Sequence, residues 1–189
     1  MLKYLENKAR DERLTIETVK ADMTHFILNK KADFAFIMMG SLNVESNEKF
    51  LSHLDSVAAS LNEGGLYFIQ NKVLDWMRVG KQSWTMNRDE ITITTTYEIS
   101  FKNIINQIFS EKLTLEVDDN GERKKIAQKR DLKFIFPQEL KTLIKLNGKF
   151  EFLGWWKGNS NAWYLNKPLE KVKKLNDNMV LLRRKPFKE

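Results

Sequence analysis

The sequence predicts an α/β protein, a doubly wound sheet interrupted by an antiparallel β ribbon. Three observations carry that expectation. Helix-like and strand-like patterns alternate over roughly the first seventy residues. From about Val79 the pattern changes to long runs of alternating Thr, Ile, Tyr and charged residues joined by turn signals, as antiparallel strands require. At Pro137 the alternation of helix and strand returns.

Leu2, Leu5 and Ala9 recur at i, i+3 and i+7, the core-facing stripe of an amphipathic helix. No Ser, Thr, Asp or Asn stands before it as a cap. The run LTIETVKAD is short, β-prone and ends in Asp22, and HFILNK after it reads as a short helical turn. DFAFIMM is a continuous apolar run between charge and Gly40, which predicts a strand buried on both faces. In NEKFLSHLDSVAASL, the residues Phe50, Leu51, Leu54, Val57, Ala58 and Leu61 share one helical face, with Asn47 as N-cap and Gly64-Gly65 as the stop. LYFIQ is the next strand.

The ribbon reads as two hairpins. SWTM and EITITTTYEIS flank the turn NRDE, while SEKLTLEV and KKIAQKRDLKFIF flank DDNGE, whose Asn120-Gly121 pair is a strong hairpin signal. Pro137 then opens the helix PQELKTLIKLN, with Leu140, Leu143 and Ile144 inward and Gly148 at its end. KFEFLGWW and NMVLLRRK are strands expected to pair antiparallel.

Composition narrows the chemistry. The 189 residues are 42% hydrophobic and 30% charged, as in an ordinary globular chain able to bury a core. No run of eighteen apolar residues and no signal-peptide pattern stands out, so a cytoplasmic location is expected. Cysteine is absent, which excludes disulfide and thiolate chemistry, and with only His25 and His53 no dedicated transition-metal site is expected. The net charge of +7 and pI near 9.4 favour an anionic partner. Yet ERKKIAQKR carries no aromatic and LLRRKPFKE only Phe187, too few to stack on successive bases, so nucleic-acid binding or RNA methylation ranks last.

Three features follow one another in order: Asp22 ending a strand-like run in VKADMTHF, the small-residue break Gly40-Ser41 in FIMMGSLN, and the Gly-Gly turn of LNEGGLYFI. With the later PQEL helix and the closing VLLRRK strand, they make the chain resemble the class I S-adenosylmethionine-dependent methyltransferases over nearly its whole length. The resemblance is closest to the small-molecule branch, including sugar-amine and glycine-type N-methyltransferases, which carries an antiparallel ribbon where TTTYEIS and EKLTLEVDDNGE stand here.

The resemblance implies a Rossmann-like core from residues 1–78 and 131–189, with residues 79–130 inserted as a cap or dimer interface. It places the opening helix between the second and third core strands, so that this sequence lacks the first two strands, the glycine-rich loop and the acid that holds the ribose. No GxGxG occurs. S-adenosylmethionine is the implied cofactor, with weakened binding by this chain expected. Asp22 matches the carboxylate that accepts from the adenine amino group, Met23 flanks the ring, and Gly40, Ser41 and Leu42 line the methyl-donor end. From the residues alone, Asp22 also reads as a turn cap.

For a small-molecule acceptor, Trp76, Trp84 and Tyr97, with Trp155 and Trp156, offer an aromatic wall for an amine or sugar, although aromatics on strands equally build cores. The catalytic base is unassigned: His25 and His53 are candidates by elimination, and His53 is expected to face solvent. Without its usual neighbour, DFAFIMM is expected to be an apolar sheet edge covered either by TIETVKA or by a second copy, giving a homodimer through that edge or through the ribbon. A non-catalytic scaffold of this kind is the alternative to the enzyme.

Overall fold

The computed structural model describes residues 2–70, 80–159, 162–173 and 177–186. These form α1 (Leu2–Asp11), β1 (Ala32–Ile37), α2 (Asn47–Ala59), β2 (Leu61–Gln70), β3 (Gly80–Arg88), β4 (Ile91–Asn103), β5 (Ile108–Asp119), β6 (Glu122–Lys133), α3 (Pro137–Asn147), β7 (Phe150–Asn159), β8 (Ala162–Pro168) and β9 (Asn178–Arg184). They make two sheets. The core sheet has the order β1-β2-β9-β7-β8, and the ribbon has the order β3-β4-β5-β6.

In the core sheet β1 and β2 run parallel, joined through α2, and every other pair is antiparallel. The β7–β9 pairing matches expectation, with β8 as an additional strand between them in sequence. Both α2 and α3 pack on one face of this sheet, enclosing Phe50, Leu54, Tyr67, Ile69, Leu140, Ile144, Phe150, Val180 and Leu182. The i, i+3, i+4 spacing of apolar side chains on α2 and α3 produces that layer.

Strand periodicity then decides the fate of β1. Ala35 and Ile37 turn toward the core, while Phe34 and Phe36 turn to the opposite face, where they stack at 5.8 Å and remain 54% and 62% exposed. The expected two-sided burial of DFAFIMM is therefore corrected: among the described residues no helix layer covers that second face. Nor does TIETVKA form a strand beside β1; residues 14–21 are irregular, and HFILNK is not helical but begins with a single bridge between Asp22 and His25. In α1 only Ala9 is buried and Leu5 is 48% exposed, so the expected core-facing stripe is mostly unburied.

Capping follows local chemistry. Ser46, rather than Asn47, caps α2, its Oγ accepting from the Lys49 N–H at 3.2 Å. The helix stops at Ala59, before the Gly64-Gly65 pair, which lies inside β2. Gly65 serves there as a close approach: a Cβ would lie 2.9 Å from the Asn62 carbonyl oxygen and 3.2 Å from that of Asp33. At the other helix, Glu139 accepts from the Phe136 N–H at 3.2 Å, and Gly148 closes the C-terminus at φ +72°.

The ribbon is an unbroken ladder over most of its length. The cross-strand row Trp84–Thr95–Leu115–Ile126 defines one face, which also carries Tyr97, Glu111 and Arg130. It joins the core through the Lys133 N–H, which donates to the Val44 carbonyl at 3.1 Å, next to a cluster in which Phe109 meets Phe101 and Phe134. Among the described residues no helix is long and apolar enough to cross a membrane.

Candidate functional site

A groove of about 290 Å³ opens where the ribbon meets the core sheet, close to the lower size limit of small-molecule sites. One wall is the turn Asp22–Met23–Thr24, another is the loop Asn43, Val44 and Glu45 before α2 with Lys49 of its first turn, and the third is Arg130–Leu132 of β6. Sequence-distant segments thus converge on one opening.

The Asp22 turn is tightly organised. Its Oδ1 accepts from both the N–H and the hydroxyl of Thr24, each at 2.8 Å, and the His25 N–H donates to the Asp22 carbonyl at 3.0 Å. These Thr24 bonds, together with the positive charge of Lys49 beyond them, hold the Asp22 carboxyl below the usual carboxylate range. Both Oδ1 bonds are local, so Oδ2 offers an ionised acceptor to a ligand donor, while the polarisable Met23 side chain stays 39% exposed. The turn-cap reading and the ligand-facing reading of Asp22 are compatible in this geometry.

The remaining sequence candidates divide. Gly40 and Ser41 form a turn beyond β1, with the Ser41 N–H donating to the Met38 carbonyl at 3.0 Å; they do not line the groove. Leu42 is 3% exposed and packs into the core cluster, so its side chain faces inward. Trp84 is half exposed on β3, a diagonal neighbour of Tyr97 on the ribbon face shared with Arg130. Trp76 lies outside the described residues. Trp155 is a core residue, its Nε1 donating to Glu170 at 2.5 Å, because the alternation of β7 turns it under α3.

Sequence reasoning missed two features. Tyr97 donates to Glu111, which also accepts from Arg130 Nε at 2.5 Å, so a 6%-exposed carboxylate fixes the arginine that reaches the groove. Burial and the neighbouring Glu111 push the Tyr97 hydroxyl above the usual tyrosine range. The second is His53. It does not face solvent: it is 3% exposed, with Nδ1 2.5 Å from the Met23 carbonyl oxygen and Nε2 2.6 Å from the Tyr67 hydroxyl. The helical stripe on α2 includes position 53 at three residues from Phe50 and four from Val57, a signal that places it inward. His25 is exposed. Among the described residues no three His, Asp or Glu side chains converge as a metal site.

This βαβ unit with an antiparallel continuation and inserted ribbon has the fold of solved S-adenosylmethionine-dependent methyltransferases. The chain is similar to an S-adenosylmethionine-dependent methyltransferase of Clostridium acetobutylicum, at 18% identity and TM-score 0.77, covering 98% of this chain and 71% of that one. It is similar also to Streptomyces venezuelae DesVI, at 14% identity and TM-score 0.70 over 97% of this chain and 70% of that one. A sugar N-methyltransferase of a Streptoalloteichus species superposes with TM-score 0.67 at 14% identity, covering 95% and 67% of the two chains. No family model matches the sequence, and no curated protein matches it significantly. One similar structure, an amino pentose methyltransferase of Micromonospora echinaspora, holds S-adenosylmethionine bound, at 13% identity and TM-score 0.64.

Proposed function

We propose that this chain carries the adenine end of the donor site and the acceptor-side ribbon of an S-adenosylmethionine-dependent methyltransferase acting on a small molecule. The observation that carries this reading is the groove joining the Asp22–Met23 turn to Arg130 and to the ribbon face that presents Tyr97 and Trp84. The residues fit the adenine portion: Asp22 presents an ionised acceptor for the exocyclic amino group, and Met23 an exposed thioether for the ring face. When bound, the sulfonium supplies the methyl group. The chain's own contribution is to orient donor and acceptor for in-line displacement and to limit water. Arg130, held by Glu111, marks the boundary between donor turn and ribbon. Trp84 and Tyr97 offer the aromatic surface for an amine or sugar acceptor.

Donor affinity is set low by what the groove offers. Micromolar binding corresponds to roughly 8 kcal/mol, and a charge-assisted hydrogen bond at Asp22 contributes about 1.5–3 kcal/mol of that. No glycine-rich loop in this sequence supplies the rest. The test is an NMR titration with S-adenosylhomocysteine, following the amides of Asp22, Met23 and Thr24. Millimolar, saturable shifts that are lost in Asp22→Asn are expected; no response at these amides by about 10 mM sinks the reading.

A second reading, a homodimeric scaffold, is favoured by one contrast between sheet edges. The outer ribbon strand β6 is guarded by Arg123, Lys124, Lys125 and Lys129, whereas β1 presents exposed Phe34 and Phe36 with Asp33 as its one charge. A second copy pairing through β1 across a two-fold axis continues the sheet and sets the exposed phenylalanines of both copies side by side on one face. Light scattering with size exclusion is expected to give twice 22.3 kDa for the wild type, and a monomer for Phe36→Lys. A monomeric wild type refutes it.

A further inference from the structure

We infer that His53 is a positioning residue for the Asp22–Met23 turn, and that Tyr67 selects the ring tautomer that allows it. The functional weight of the inference rests on the reading that this turn faces the adenine of the donor. The geometry stands independently of that reading.

The Met23 carbonyl oxygen can only accept, so the proton between it and His53 belongs to Nδ1. Nε2 is then bare in the neutral ring, and the Tyr67 hydroxyl donates to it across 2.6 Å. Burial pushes the Tyr67 hydroxyl far above the usual tyrosine range, which keeps it a donor. Tyr67 stands on β2 with 1% exposure, so a rigid core strand sets the ring's orientation and, through the ring, the height of the Met23 main chain.

A second grip lies one turn along the same helix. Ser56, 5% exposed, accepts from the Phe26 N–H at 3.0 Å, and the Phe26 ring meets His53 edge-on at 6.3 Å between centroids. Positions 53 and 56 share a face of α2. They hold the carbonyl of residue 23 and the N–H of residue 26, an equal spacing on the irregular segment. A histidine serving only to fill the core has no need of the matched polar partner at position 56. The pair fixes the backbone of the turn, while Asp22 remains exposed and Met23 partly exposed toward the groove. The arrangement pre-organises a ligand-facing turn that no regular strand holds.

The chain has only two histidines, so selective imidazole ¹⁵N labelling gives two spin systems and a direct reading of tautomer. His53 is expected as the neutral Nδ1–H form in the wild type, with that preference lost in Tyr67→Phe. His53→Asn places an amide N–H near the Nδ1 position. It is expected to keep amide-exchange protection at Thr24 and His25 and to hold the S-adenosylhomocysteine response within about threefold. His53→Phe keeps the ring volume and loses the donor; a weakening of tenfold or more is expected, with protection of the β2 and β9 amides retained. An Nε2–H or charged His53 in the wild type overturns the inference. So does a His53→Phe chain with unchanged protection at the turn. A wild type that shows the expected tautomer and protection but no response to S-adenosylhomocysteine overturns the cofactor reading instead.

Discussion

Glu139 joins three segments, β6 and α2 of which also border the groove, and its removal gives a calculable loss. Its Oε1 accepts from Lys133 Nζ at 3.3 Å and from Asn47 Nδ2 at 2.9 Å, while Oε2 accepts from the Phe136 N–H at 3.2 Å. Lys133 closes the ribbon, Asn47 starts α2 and Phe136 precedes α3. The Lys133 side chain is 8% exposed, and its ammonium also donates to Gln107. Taking away the partner of a buried charge costs about 3–5 kcal/mol. Because Glu139 keeps 20% exposure, the lower end applies, and the lost Phe136 bond adds about 1 kcal/mol. Glu139→Ala is therefore expected to destabilise by about 4 kcal/mol, or about 8–16 °C in Tm at this size. Lys133→Met combined with Glu139→Gln removes both charges and retains an acceptor for Phe136, so it is expected within about 1 kcal/mol of wild type. Urea unfolding of the wild type, the single and the double variant measures all three. A Glu139→Ala loss below about 1 kcal/mol, or a double variant as unstable as the single, refutes the reasoning.

Three other outcomes follow from named contacts. The lowered Asp22 pKa means that its bonds to Thr24 are present above the ordinary Asp value and are lost as pH falls through the lower folded value; the Thr24 amide shift is expected to titrate below about 3.9. Tyr97→Phe removes the hydroxyl donated to the buried Glu111 and is expected to cost about 1.5–3 kcal/mol in thermal or urea unfolding, with β4 and β5 still paired by amide exchange. Gly65→Ala forces a Cβ against two carbonyl oxygens, whereas Gly148→Ala meets open space and incurs only the left-handed backbone cost of about 1–2 kcal/mol; circular-dichroism melts are expected to rank Gly65→Ala as the more damaging.

The local code of this chain is legible without coordinates. Pro137 and Gly148 bracket α3, Asn120-Gly121 turns the β5–β6 hairpin, and the spacing of Phe50, Leu54, Val57 and Ala58 makes one buried helix face, because each depends on neighbours within a turn. The order of these signals also carries the resemblance to the fold, although the helix layers expected on both faces of a doubly wound sheet are met on one face only among the described residues. What only tertiary structure decided is which surfaces meet. DFAFIMM reads as buried on both faces, yet Phe34 and Phe36 stay exposed because burial needs a covering layer that no local pattern supplies. The run LTIETVKAD has the residues of a strand but no paired strand beside it, and strand propensity without a pairing edge leaves the backbone irregular. His53 reads as a polar residue for solvent. Its position beneath the Asp22–Met23 turn arises because Tyr67 on β2 and the Met23 carbonyl, separated by 44 residues in sequence, offer a buried imidazole both partners that it needs.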